Sequence, residues 1–177
     1  PISAYGADKL GCEQHGLVAA HVHGVPNTGL RFFNVYGPRQ DPRSPYSGVI
    51  SIFADRIGRG DGVTIFGDGG QTRDFVYVGD VVRCLRAAMA AHESAGAAKA
   101  AVYNVCTGRE TTVTGLAETL GTLCGREVDI AHDDARTGDI RESLGDGAKA
   151  SAELGFRAET TLADGLAETL RSLDEAA

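Results

Sequence analysis

Short apolar runs alternate with longer segments of helical periodicity along this chain, and that alternation limits the fold more than any other feature. Strands separated by helices pair side by side in parallel, so the pattern predicts an α/β protein with a largely parallel sheet. Residues 7–22 place Leu10, Leu17, Val18 and Val22 at helical spacing, closed by Gly24 and Pro26. A buried strand is expected over 28–35, its run ending at Asn34, because Tyr36-Gly-Pro-Arg breaks it. Residues 37–47 hold three of the chain's five prolines and predict an ordered irregular loop of the kind that binds ligands at the carboxyl ends of parallel strands.

Beyond the loop, the spacing predicts a helix over 49–57, a strand over 63–66 and a glycine turn over 67–70. A strand over 73–78 follows, with Asp80 capping a helix over 81–91 and a solvent-exposed connection over 94–100. The last part predicts strands over 102–106 and 128–131 and helices over 113–123, 146–154 and 161–173. Thr112 and Asp146 are the expected caps of the first two helices, Gly125 and Gly155 their stops, and Thr161 with Asp164 starts the third.

The formal net charge of −7, with no basic run, argues against nucleic acid or an acidic membrane surface as partner. No apolar run approaches the roughly 20 residues that span a bilayer, and no segment resembles a signal peptide, so a soluble cytoplasmic protein is expected. Cys12, Cys84, Cys106 and Cys124 lie far apart within apolar segments and are expected to be reduced core thiols. The five histidines form no metal-binding pair and are expected to be structural or surface residues. The chain opens on Pro1 instead of Met, and the expectation is that a natural N-terminal part is missing.

Tyr5 and Lys9 stand four residues apart, on one face of a helix and one turn from each other. An ammonium about 5 Å from a phenol oxygen, at an effective dielectric of about 20, favours the phenolate by about 3 kcal/mol. Such a tyrosine can act as a general base.

Four separated motifs carry a family resemblance. They are Pro1-Ile-Ser-Ala-Tyr-Gly-Ala-Asp-Lys9, Arg31-Phe-Phe-Asn-Val-Tyr-Gly-Pro-Arg-Gln40, Phe66-Gly-Asp-Gly-Gly-Gln-Thr-Arg-Asp-Phe75 with Val78-Gly-Asp80, and Arg136-Thr-Gly-Asp139. Together they resemble the C-terminal part of an extended short-chain dehydrogenase/reductase of the nucleotide-sugar epimerase/dehydratase group, most like its UDP-hexose 4-epimerases. The resemblance implies the C-terminal part of a Rossmann-type parallel-sheet fold plus a small substrate-binding domain. Residues 1–35 and 74–106 would belong to the NAD-binding part, and 36–73 and 107–177 to the nucleotide-sugar part.

The same resemblance implies NAD as cofactor and a UDP-sugar as substrate. Tyr5 would be the base and Lys9 would support it while bonding the nicotinamide ribose; Phe33 would lie by the nicotinamide and Asn34 would donate to the sugar nucleotide. Arg73 and Arg136 would hold the diphosphate, a task suited to guanidinium forks. Asp139 would bind the uridine ribose, and Ser47, Gly48, Thr64, Ile65 and Phe66 would wall the uracil pocket. Ser143 falls where a bulky tyrosine would exclude N-acetyl sugars, so its small side chain implies acceptance of UDP-GlcNAc/UDP-GalNAc beside UDP-Glc/UDP-Gal. Homodimerisation through the helix bearing Tyr5 and Lys9 is a further implication.

The departure from the family pattern is the absence of a G-x-x-G-x-x-G or G-x-G-x-x-G run to grip the NAD pyrophosphate. The alternatives left open are a sibling dehydratase or decarboxylase, and a truncated chain that only binds a sugar nucleotide.

Overall fold

The structure is a computed structural model that describes residues 1, 3–44, 48–94 and 99–175, without the side chains of 93 and 94. Helix α1 (Ala4–His23) is capped by the Ser3 hydroxyl, which accepts from the Gly6 N–H at 3.1 Å, and it ends at Gly24 in the left-handed conformation. It begins three residues before the expected start, so Tyr5 and Lys9 both lie within it. No residue of α1 is buried. It is tied to the sheet by polar contacts: Arg31 donates to both Glu13 oxygens at 2.6 and 2.7 Å, and Asn27 Nδ2 donates to the Gly16 carbonyl at 2.7 Å.

The strand expected over 28–35 is two strands, β1 (Asn27–Phe32) and β2 (Asn34–Tyr36). The chain changes partner at Phe33. β1 pairs in parallel with β6 (Ala100–Val105), whereas β2 pairs in parallel with β5 (Phe75–Tyr77). The Phe33 N–H donates to Val105 O at 3.2 Å and the next N–H, of Asn34, to Asp74 O at 3.0 Å. A uniform apolar run gives no hint of such a switch.

Helix α2 (Val49–Arg59) follows the proline loop, and strand β3 (Val63–Phe66) runs into turns at Gly67 and Gly69, both with positive φ. The strand expected over 73–78 is also divided, into β4 (Thr72–Arg73) and β5, with Asp74 between them. Helix α3 (Val78–Ser94) starts directly after β5. Asp80 therefore lies inside its first turn and does not cap it. Its fully buried carboxylate accepts instead from the Thr160 N–H and hydroxyl, at 3.1 and 3.0 Å, and pairs with Arg83 at 2.7 Å. The connection expected over 94–100 lies mostly outside the described residues.

Strand β7 (Thr111–Thr112) leads into α4 (Val113–Leu123), capped by Thr112 as expected. Strand β8 (Ile130–Asp133) begins two residues later than predicted and pairs in parallel with β3. Then come β9 (Glu142–Ser143), α5 (Ala148–Leu154) with its left-handed Gly155 stop, and α6 (Leu162–Asp174) with its Thr161 cap. Gly147 occupies the cap position of α5; the Asp146 carboxylate accepts from the Ala148 N–H at 2.8 Å.

Two cores form. The larger packs α2, α4 and α6 around Ile57, Ile65, Leu120 and Leu166, each at most 1% exposed. Full burial of each such side chain contributes about 1.5–3 kcal/mol. The smaller gathers Val76, Val81, Cys84, Tyr103, Val105 and Phe156. Cys84 and Cys106 are buried, and Cys124 is half-buried. Cys12 corrects the core-thiol expectation: it is exposed, because α1 turns it toward water. Among the described residues no helix is long and apolar enough to cross a membrane.

Candidate functional site

β3 and β8 run in register from Val63 opposite Ile130 to Phe66 opposite Asp133, so both end at the same level. At this end β3, residues 136–139 and parts of β2, β4, α2 and α4 line a cleft of about 420 Å³, the expected position for a ligand in parallel α/β structures. Asn34, Thr64, Ile65, Phe66, Arg73, Arg136 and Asp139 all line it. These residues are up to 105 positions apart in the chain (34 to 139), and sheet pairing brings them together.

The side chains of Arg73, Arg136 and Arg141 fasten residues 136–141 to the β3–β4 region. Arg73 Nη1 donates to Ile140 O at 2.6 Å and to Thr72 O at 2.7 Å, while its Nη2 pairs with the Asp139 carboxylate. The Arg136 guanidinium stacks on the Phe66 ring, 3.8 Å from the centroid, close enough for cation–π attraction. Arg141 Nη1 meets the Asp68 carboxylate at 2.6 Å. The Arg141 hydrogen bond, helped by the Gly70 N–H, pulls the Asp68 carboxyl down to about 2. Two guanidinium groups, one carboxylate and an aromatic face thus share one cleft. That set can hold phosphoryl oxygens, a hydroxyl pair and a planar ring together.

The other expected site residues fall outside this cleft. Tyr5 and Lys9 line a separate groove of about 830 Å³ between α1 and β1. Tyr5 is 72% exposed, and Lys9 Nζ stands 5.3 Å from its ring centroid, so the two side chains share one water-facing side of α1. Phe33 is half-buried at the strand switch. Gly48 is the cap of α2, whose Val49 and Phe53 line the cleft. Ser143 is half-buried in β9, paired with Arg73 across the ladder, and does not line the cleft. Ser47 lies outside the described residues. Among the described residues no group of three or more His, Cys, Asp or Glu is placed to hold a metal ion.

Sequence reasoning passed over two buried polar residues. Gln71 is 9% exposed, lines the cleft and donates from Nε2 to Phe66 O at 2.9 Å, which fixes the turn behind the Phe66 ring. Asp74 is fully buried and accepts hydrogen bonds from Thr107, Gly108 and Gly145. An acid next to an apolar strand was the available signal, since a buried carboxylate must find donors.

Residues 1–106 match the model of the NAD dependent epimerase/dehydratase family. UDP-glucose 4-epimerase of Mycolicibacterium smegmatis is 35% identical over 170 residues, which cover 96% of this chain and 52% of that protein. A crystal structure of UDP-glucose 4-epimerase with UDP-glucose, from Thermotoga maritima, is 40% identical and superposes with a TM-score of 0.91 over 99% of this chain and 55% of that one. UDP-N-acetylglucosamine 4-epimerase of Methanobrevibacter ruminantium, in complex with UDP-N-acetylmuramic acid, is 32% identical with a TM-score of 0.90 over 100% and 55%. The chain thus spans about half the length of these relatives.

Proposed function

This chain belongs to the NAD-dependent epimerase/dehydratase family, and from that premise we propose that its protein is a UDP-hexose 4-epimerase whose sugar-nucleotide pocket is the cleft at the ends of β3 and β8. The observation that carries the reading is the convergence there of Arg73, Arg136, Asp139, Asn34 and Phe66. Arg73 and Arg136 take the diphosphate, Asp139 the ribose hydroxyls, and the Phe66 region the uracil. Gly48, Thr64 and Ile65 complete the base pocket. For the arginines to reach a diphosphate, Arg73 shares its fork between Asp139 and ligand, and Arg136 leaves the face of Phe66.

The residues present fit the nicotinamide-ribose end of NAD: an exposed phenol and an ammonium on one helical face, with Lys9 unpaired by any carboxylate among the described residues. The sequence has no glycine-rich run for the pyrophosphate. The chemistry NAD supplies when bound is reversible acceptance of a hydride from the sugar carbon. Tyr5 would remove the proton of the sugar 4-hydroxyl and later return it, and Lys9 would steady the Tyr5 oxygen and bond the ribose of the cofactor. Phe33 would lie by the nicotinamide, and Asn34 would hold the sugar nucleotide at the strand end. The diphosphate contacts keep the 4-keto sugar attached while it turns to present its other face.

Similarity to relatives of both UDP-glucose and UDP-N-acetylglucosamine type supports a substrate range that includes the N-acetylated pair, with small Ser143 as the permissive residue. Exposed Leu17, Val18 and Val22 on α1 support burial of that helix against a further element, as a homodimer would provide. The test is turnover of UDP-Glc, UDP-Gal, UDP-GlcNAc and UDP-GalNAc by the full-length protein. Products of unchanged mass support epimerisation; loss of water or carbon dioxide would assign a sibling dehydratase or decarboxylase instead.

A further inference from the structure

The Asp74 carboxylate is fully shielded from water, and no cation among the described residues pairs with it. Four donors compensate it instead. Oδ1 accepts from the Thr107 N–H at 2.8 Å and the Thr107 hydroxyl at 2.7 Å; Oδ2 accepts from the Gly108 N–H at 2.8 Å and the Gly145 N–H at 3.3 Å. One side chain therefore joins the junction between β4 and β5, the turn after β6 and the backbone beyond β9.

Two of these stretches adjoin residues with a part in the proposed site. Asp74 follows Arg73, and its carbonyl accepts the Asn34 N–H at 3.0 Å. Gly145 lies two residues beyond Ser143 and against Phe33: a Cβ built there would stand 2.8 Å from Phe33 Cζ and 2.5 Å from Cys106 Cβ. The backbone is thus held at Gly145 against the Phe33 ring and Cys106.

Resting on the epimerase reading, we infer that Asp74 is a positioning residue for the sugar: its four hydrogen bonds set the gap between Phe33–Asn34 and Ser143–Gly145. It acts on the sugar ring without gripping the UDP. The uracil and ribose contacts lie on β3 and on residues 136–139, to which the carboxylate makes no bond, and the Arg73 side chain is held separately by Thr72 O, Ile140 O and Asp139. Small misplacement of a reacting group costs up to about a hundredfold in rate, so loosening this clamp lowers turnover far more than UDP affinity.

Asp74→Asn turns an amide toward N–H donors and risks misfolding, so the decisive variant is Thr107→Val, with Thr107→Ser restoring the hydroxyl. In the full-length protein, kcat, KM, UDP affinity by calorimetry and thermal midpoint are measured for all three and for wild type, well below the midpoints. Expected for Thr107→Val is a kcat lower by about tenfold or more, UDP affinity within about twofold of wild type, and recovery in Thr107→Ser. A lower midpoint with unchanged kcat would make Asp74 purely structural and overturn the inference. Parallel loss of kcat and UDP affinity would overturn it as well. Wild-type protein that neither binds UDP nor turns over a UDP-sugar would instead bring down the epimerase reading, and this inference with it.

Discussion

Arg73 and Asp139 form a salt bridge across the candidate cleft, joining strand β4 to the segment that follows β8. The Arg73 side chain is only 15% exposed and already bonds two carbonyls, so its fork is oriented before any ligand arrives. A preset guanidinium loses little freedom on meeting a phosphate.

Arg73→Ala therefore removes a charge-assisted contact worth about 1.5–3 kcal/mol and lowers UDP affinity by about ten- to a hundredfold. Calorimetric titration of UDP into wild type and variant checks this. Unchanged affinity would remove Arg73 from the site.

The Asp68–Arg141 pair gives an acid-side signature. The folded carboxyl is held at about 2, below its ordinary 3.8. A depressed carboxylate contributes stability above its unfolded value, and that contribution is lost as pH falls through the folded value. The thermal midpoint of wild type is thus expected to fall between about pH 4 and pH 2 by more than that of Asp68→Asn. Both partners are solvent-exposed, so the difference is small and shrinks in salt. Identical pH profiles would show that the pair does not form in solution.

Gly145→Ala forces a methyl against Cys106 and Phe33 in a buried site. Overpacking of this kind costs about 1–3 kcal/mol. Chemical denaturation should show a lower midpoint with an unchanged slope, and an unaltered midpoint would mean that the gap opens freely.

Ser143→Tyr in the full-length protein is expected to lose turnover of the N-acetylated pair by about tenfold or more while the unacetylated pair is largely spared. Equal loss of both would refute a gatekeeping role. Ser143 pairs with Arg73 in the ladder and sits outside the cleft wall, so the reading requires its side chain to face the sugar beyond that wall.

Much of this architecture was legible because it depends on local chemistry. The Thr112 and Thr161 caps, the Gly155 stop and the alternation of strand and helix each follow from a few neighbouring residues. The strand breaks at Phe33 and Asp74 were not legible, since both arise where the chain exchanges one pairing partner for another distant in sequence. Asp80 illustrates the same limit: its position before an apolar stripe suggested a cap, but its donors are Arg83 and, eighty residues away, Thr160. Motif resemblance singled out Asn34, Phe66, Arg73, Arg136 and Asp139, which share the cleft, whereas Gln71 and Asp74, although inside a quoted motif, gained a role only with their hydrogen bonds.

The central claim is that Tyr5, supported by Lys9, moves the proton while the β3–β8 cleft holds the nucleotide. Replacing Tyr5 by Phe in the full-length protein and measuring kcat beside UDP affinity tests it most directly. Turnover is expected to fall by about a hundredfold or more with UDP affinity unchanged. Turnover equal to wild type in a folded, NAD-loaded Tyr5→Phe protein would contradict it.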